Sequence, residues 1–132
     1  MNQLLQISAC AVTLLLSTSF MAQGQVKEDF VPSTKNHPGK EYPMVNSQGY
    51  ARFKVDAPEA KSVTVTLGLG GSGGTKLEKQ ADGSWMGTTA GPMDEGFHYY
   101  HLIVDDGTFN DPGTLNYFGS CRWESGVEIP AH

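Results

Sequence analysis

The sequence predicts an all-β domain built as an antiparallel sandwich. Short runs alternate apolar and polar residues at the two-residue period of a half-buried strand. Turn signals rich in Gly, Pro and Asp separate these runs at short intervals. No stretch combines a helical apolar period with helix caps, and no internal repeat is present.

Residues 1–25 carry no charged side chain, and an apolar run extends from Ala9 to Leu16 and on through Phe20 and Met21. The run is shorter than the ~20 residues that span a bilayer. Small residues at Ala22-Gln23-Gly24 come next, at the spacing of a cleavage site, so residues 1–24 read as an export signal. The order Ile7-Ser8-Ala9-Cys10 imitates a lipidation box, but most of the apolar residues come after that cysteine instead of before it. Residues 25–46 are polar and interrupted by proline, an extended leader with one edge strand, and residues 47–130 form the folded module.

Within the module, Tyr50–Val55 alternates, with Ala51, Phe53 and Val55 on one side and Tyr50, Arg52 and Lys54 on the other. Ser62–Leu67 alternates again and is dense in β-branched residues. Gly68–Gly74 breaks the sheet. Thr75–Gln80 and Ser84–Thr89 flank Ala81-Asp82-Gly83, a hairpin signal. Phe97–Val104 is the longest apolar run and ends at Asp105-Asp106-Gly107. Thr114–Gly119 and Gly126–Ile129 are the remaining strands. Both faces of Phe97–Val104 carry apolar groups: His98, Tyr100, Leu102 and Val104 on one, Phe97, Tyr99, His101 and Ile103 on the other. One face should pack the core; the other should meet a ligand or another domain.

Composition narrows the function. The 132 residues suit one domain, and 9 Lys+Arg against 14 Asp+Glu, a net charge of −5, disfavour nucleic acid and anionic membrane as partners. After signal removal Cys121 is alone, which precludes an internal disulfide and suggests a small buried hydrophobe. Gly70-Gly71-Ser72-Gly73-Gly74 fits the G-x-S-x-G of a hydrolase elbow. The next residues, Thr75-Lys76-Leu77-Glu78, lead into a hairpin and not a helix, so Ser72 as nucleophile is the unfavoured alternative. Gly68, Gly70 and Gly73 spell G-x-G-x-x-G without the helix that dinucleotide binding needs. His98 and His101, near Asp105 and Asp106, face opposite sides of a strand and cannot share one metal ion. No motif asks for a cofactor, a metal or a catalytic residue. Planar aromatics beside polar groups suit a neutral sugar, whose C–H face stacks while its hydroxyls are bonded.

The stretch from Glu95-Gly96-Phe97-His98-Tyr99-Tyr100-His101 to Asp105-Asp106-Gly107, running on to Asn110-Asp111-Pro112, resembles the signature of family-48 carbohydrate-binding modules. Ala57-Pro58-Glu59-Ala60 and Asp82-Gly83-Ser84-Trp85 fit the same module. Tyr117-Phe118-Gly119 and Ser125–Pro130 resemble more narrowly the N-terminal domains of secreted bacterial feruloyl and acetyl-xylan esterases. The resemblance covers residues 28–130 and implies an early-set immunoglobulin-like sandwich. It implies a non-catalytic accessory module, exported to the periplasm or beyond, that binds polysaccharide or packs against an esterase catalytic domain. A purely structural spacer is the alternative.

The glycogen-binding members carry a tryptophan where this chain has Gly68–Gly74, a lysine where it has His101, and a second tryptophan where it has Thr108 beside Phe109. That pattern points away from α-glucan; the resemblance to the esterase domains implies instead xylan or another plant cell-wall chain. The binding residues it implies are Trp85, His101 and Phe109, with Trp123 in support.

Overall fold

A computed structural model describes residues 24–67, 74–119 and 121–131. Its strands are, in order, β1 (Val31–Pro32), β2 (Met44–Val45), β3 (Ala51–Asp56), β4 (Val63–Leu67), β5 (Thr75–Lys76) and β6 (Glu78–Lys79). After these come β7 (Ser84–Thr88), β8 (Gly96–Val104), β9 (Gly107–Phe109), β10 (Asn116–Gly119) and β11 (Arg122–Ile129). All pairings are antiparallel. One sheet runs β1-β2-β3-β7-β6; the other runs β10-β11-β8-β4-β5, with β9 also paired to β8. The fold is all-β, an immunoglobulin-like antiparallel β-sandwich.

The two-residue period decides which side chains close the sandwich. Ala51, Phe53 and Val55 of β3 are buried, while Arg52 and Lys54 between them are only half-buried. They meet Val63 and Val65 of β4, Tyr100 and Leu102 of β8, and Val127 and Ile129 of β11. The Phe53 and Tyr100 rings join the two layers edge to face, centroids 5.1 Å apart. Each of these buried side chains larger than Ala51 contributes roughly 1.5–3 kcal/mol of transfer free energy. Leu77 marks where the chain changes sheet: β5 before it pairs with β4, and β6 after it pairs with β7. Its side chain is fully buried, and its amide donates to Val63 O at 2.9 Å.

Three departures from the sequence reading have physical causes. The leader contributes two short strands, because β1 pairs with β2 and β2 with β3; Pro32 is accommodated because β1 is an edge. β11 begins at Arg122, four residues before the expected strand, and its first part looked polar because Glu124 and Ser125 are buried polar residues. β9, hidden after a turn signal, folds back on β8 with Phe109 opposite Leu102. Cys121 is exposed and not buried; it sits in the β10–β11 turn with φ +64°. The export signal, the Cys10 box, Ser72 and the G-x-G-x-x-G motif fall on residues 1–23 and 68–73, outside the described residues.

Candidate functional site

The outer face of the second sheet gathers the chemistry. Residues directly opposite each other in a ladder point to the same side. Tyr99 lies opposite Gly126, Phe97 opposite Glu128, Tyr117 opposite Glu124, and His101 opposite Thr66. Phe97, Tyr99, His101 and Ile103 therefore share this face with Tyr117, Glu124 and Thr66. The other parity of β8, with Tyr100 and Leu102, packs the core.

The rings rest on glycine backbone. A Cβ on Gly126 would come within 2.6 Å of the Phe97 ring and 2.8 Å of the Tyr117 ring, and one on Gly119 would collide with the Tyr99 ring. Phe97 is the centre of the group, edge to face with Tyr99 at 5.1 Å and with Tyr117 at 4.8 Å. Beside the rings, Glu124 is 2% exposed. Its Oε1 accepts from Arg122 Nε at 2.7 Å, and its Oε2 faces His101 Nε2 in an ion-pair contact. A buried carboxylate demands such partners, since burying a lone charge costs several kcal/mol. At the margin, Glu128 accepts from Thr34 Oγ1 at 2.6 Å and pairs with Lys35 at 2.9 Å. Those bonds hold the Glu128 carboxyl below its ordinary range, the Thr34 hydroxyl first. The face thus offers aromatic surface, threonine hydroxyls and fixed charged groups in one plane, the means to hold a polyhydroxylated chain by stacking and hydrogen bonds.

The four residues singled out from the sequence do not converge. Trp85 is 7% exposed and belongs to the core; its indole N–H donates to Ala57 O at 2.9 Å. His101 is on the outer face, but largely covered and bound to Glu124. Phe109 is 55% exposed and lines a cleft of about 930 Å³ between the sheets. Trp123 is 60% exposed on the β10–β11 hairpin, paired edge to face with Phe118 at 5.5 Å. Sequence reasoning named the face of Phe97, Tyr99 and His101 but not Tyr117, Arg122, Glu124 or Gly126 as its partners. One signal was available: an isolated glycine inside a strand often marks a close approach.

His98 lies apart from His101, opposite Val127, and its ring nitrogen contacts Asp94 O at 2.7 Å. No group of three or more His, Cys, Asp or Glu residues among the described residues is arranged to hold a metal ion. Beneath the face, Tyr100 Oη donates to Asp111 Oδ2 at 2.6 Å, and Gly113 N donates to Asp111 Oδ1 at 2.8 Å. Burial raises the Asp111 carboxyl above its ordinary range against those two bonds, and burial likewise raises the Tyr100 phenol. This pair is structural support and not surface chemistry.

Fold and face define a small β-sandwich with one aromatic, hydrogen-bonding outer face. The chain is 74% identical over 105 residues, 80% of its length, to an endo-1,4-beta-xylanase/feruloyl esterase of Xylanibacter ruminicola. It spans only 14% of that relative, so the match covers a small, non-catalytic part of an enzyme. No family model matches the chain.

Proposed function

We propose that this chain is a non-catalytic glycan-binding module of a secreted polysaccharide-degrading esterase, of the family-48 carbohydrate-binding type. Its ligand is a xylan-type plant cell-wall chain laid across the outer face of the second sheet. The observation that carries this reading is the row of Phe97, Tyr99 and Tyr117 seated on glycine backbone beside the Arg122–Glu124–His101 network. The relative's two activities, xylanase and feruloyl esterase, supply the choice of polymer. Few stacking contacts on an open face set the dissociation constant at about 0.1–1 mM. A second reading, packing against a catalytic domain, is favoured by Leu115, Phe118 and Trp123, which leave apolar surface exposed around the β10–β11 hairpin.

Affinity gel electrophoresis against arabinoxylan, glycogen and a polysaccharide-free control separates these readings. Selective retardation in arabinoxylan, lost in Tyr99→Ala and Tyr117→Ala, is the expected outcome. Equal mobility in all gels leaves domain packing as the role of the chain. Retardation in glycogen alone transfers the ligand to α-glucan.

A further inference from the structure

We infer that the cleft between the two sheets is a second glycan subsite, built for an uncharged oligosaccharide; this rests on the glycan reading of the outer face.

The cleft exists because β2 is short. Thr89 N donates to Ala51 O at 2.9 Å on the β7 side of β3, and Asn46 N donates to Tyr50 O at 3.0 Å on the β2 side. Backbone direction alternates along a strand, so residues 51, 53 and 55 bond β7, and 52, 54 and 56 turn toward β2. β2 ends at Met44, opposite Arg52. Beyond that end, Lys54 and Asp56 turn their backbone N–H and C=O groups to the side where the cleft opens, and both residues line it.

The walls combine two aromatic rings with polar groups. Phe109 folds back over its own strand: a Cβ at Gly107 would lie 2.5 Å from its ring, so glycine there lets the ring lie on the backbone. The second aromatic residue lining the cleft is Tyr42, with Lys54 Nζ 5.8 Å from its ring centroid, and Lys54 also pairs with Asp82 at 3.7 Å. Val55, Leu102 and Val104 form the apolar floor. A volume of about 930 Å³ falls within the range of small-molecule sites.

Charge and length decide the ligand class. Even with the cleft-lining Asp111 set aside as the partner of Tyr100, Glu41, Asp56 and Asp82 outnumber Lys40 and Lys54 around the cleft, so acceptors for hydroxyl protons are in excess and a uronate carboxylate is repelled. The open stretch of β3 offers the backbone of only two residues, too little to hold an added peptide strand. A neutral sugar meets both demands: C–H faces for Phe109 and Tyr42, and hydroxyls for the carboxylates and the amides.

The test is a titration of the ¹⁵N-labelled full chain with xylohexaose, read residue by residue. The expected result is saturable amide shifts at Lys54, Asp56 and Asn110, in addition to any at Tyr99 and Gly126. Phe109→Ala weakens the cleft shifts about five- to tenfold, as loss of one stacking ring implies, and leaves the outer-face shifts in place. Phe109 is exposed, so this variant keeps the core, and circular dichroism confirms the fold. Tyr99→Ala gives the converse pattern. If the outer-face shifts are absent but the cleft shifts persist, the surface reading fails and the cleft stands. Absence of cleft shifts, their indifference to Phe109→Ala, tighter binding of a glucuronate-bearing xylo-oligosaccharide, or response only to an extended peptide overturns the inference.

Discussion

Trp85 is the kind of residue that invites a binding role from sequence and receives a structural one from the fold. Its indole is nearly enclosed, bonded to Ala57 O, and approached by Lys79 Nζ at 5.9 Å from the ring centroid. Trp85→Ala is therefore expected to cost about 3–5 kcal/mol in urea unfolding. A stable Trp85→Ala protein that had lost only polysaccharide retention would return the tryptophan to the binding site. Asp111 tests burial of a charge. Its folded-state carboxyl is raised, chiefly by burial, so the folded state holds the proton more tightly than the unfolded chain. The associated stability is fully present below the ordinary aspartate range and is lost as pH rises through the raised value. Unfolding free energy measured from pH 3 to 7 should fall, relative to Asp111→Asn, across that interval; a parallel pair of curves would contradict the shift. Gly126 tests the platform. Gly126→Ala drives a methyl into the Phe97 and Tyr117 rings, which costs ~1–3 kcal/mol and reduces arabinoxylan retention. Unchanged retention in a folded Gly126→Ala protein would show that ring placement is irrelevant to the ligand.

Strands differed in how openly the sequence declared them. β3 and β4 were legible because apolar residues alternate along them and Ala51, Phe53, Val55, Val63 and Val65 are buried; β8 was legible as the longest apolar run. β11 was half legible. Val127 and Ile129 obey the rule, but Glu124 occupies a buried place on the other face, and only Arg122 and His101 explain how it can. The site suffered from the same limit. Parity within β8 placed Phe97, Tyr99 and His101 together, whereas Tyr117 and Glu124 joined them through a register that no local pattern encodes. The β10–β11 hairpin carries the test at this scale. Phe118 and Trp123 are directly opposed and meet edge to face, 66% and 60% exposed. Exposed cross-strand aromatic pairs couple by about 0.5–1 kcal/mol. A double-mutant cycle of Phe118→Ala and Trp123→Ala should return that coupling, with outer-face glycan retention intact. Loss of retention in Trp123→Ala alone would move the ligand onto the hairpin.

As a whole the molecule is acidic, with net charge −5, yet the groups proposed to hold glycan do not depend on that excess. Glu124 is enclosed, held by Arg122 and faced by His101, and Glu128 is engaged by Thr34 and Lys35. Ring stacking and hydrogen bonds act at contact distance, where dissolved ions do not intervene. Long-range attraction behaves differently, because the Debye length shrinks from about 30 Å at 0.01 M salt to about 3 Å at 1 M. Ionic strength therefore separates contact binding from charge-driven retention. Retention by neutral arabinoxylan should be unchanged when electrophoresis is replaced by column retention at roughly 0.02 M and 0.5 M NaCl, a span over which surface charges become screened. Retention that collapses at the higher salt would mean that charge, and not the aromatic face, holds the polymer, and the stacking mechanism would have to be abandoned.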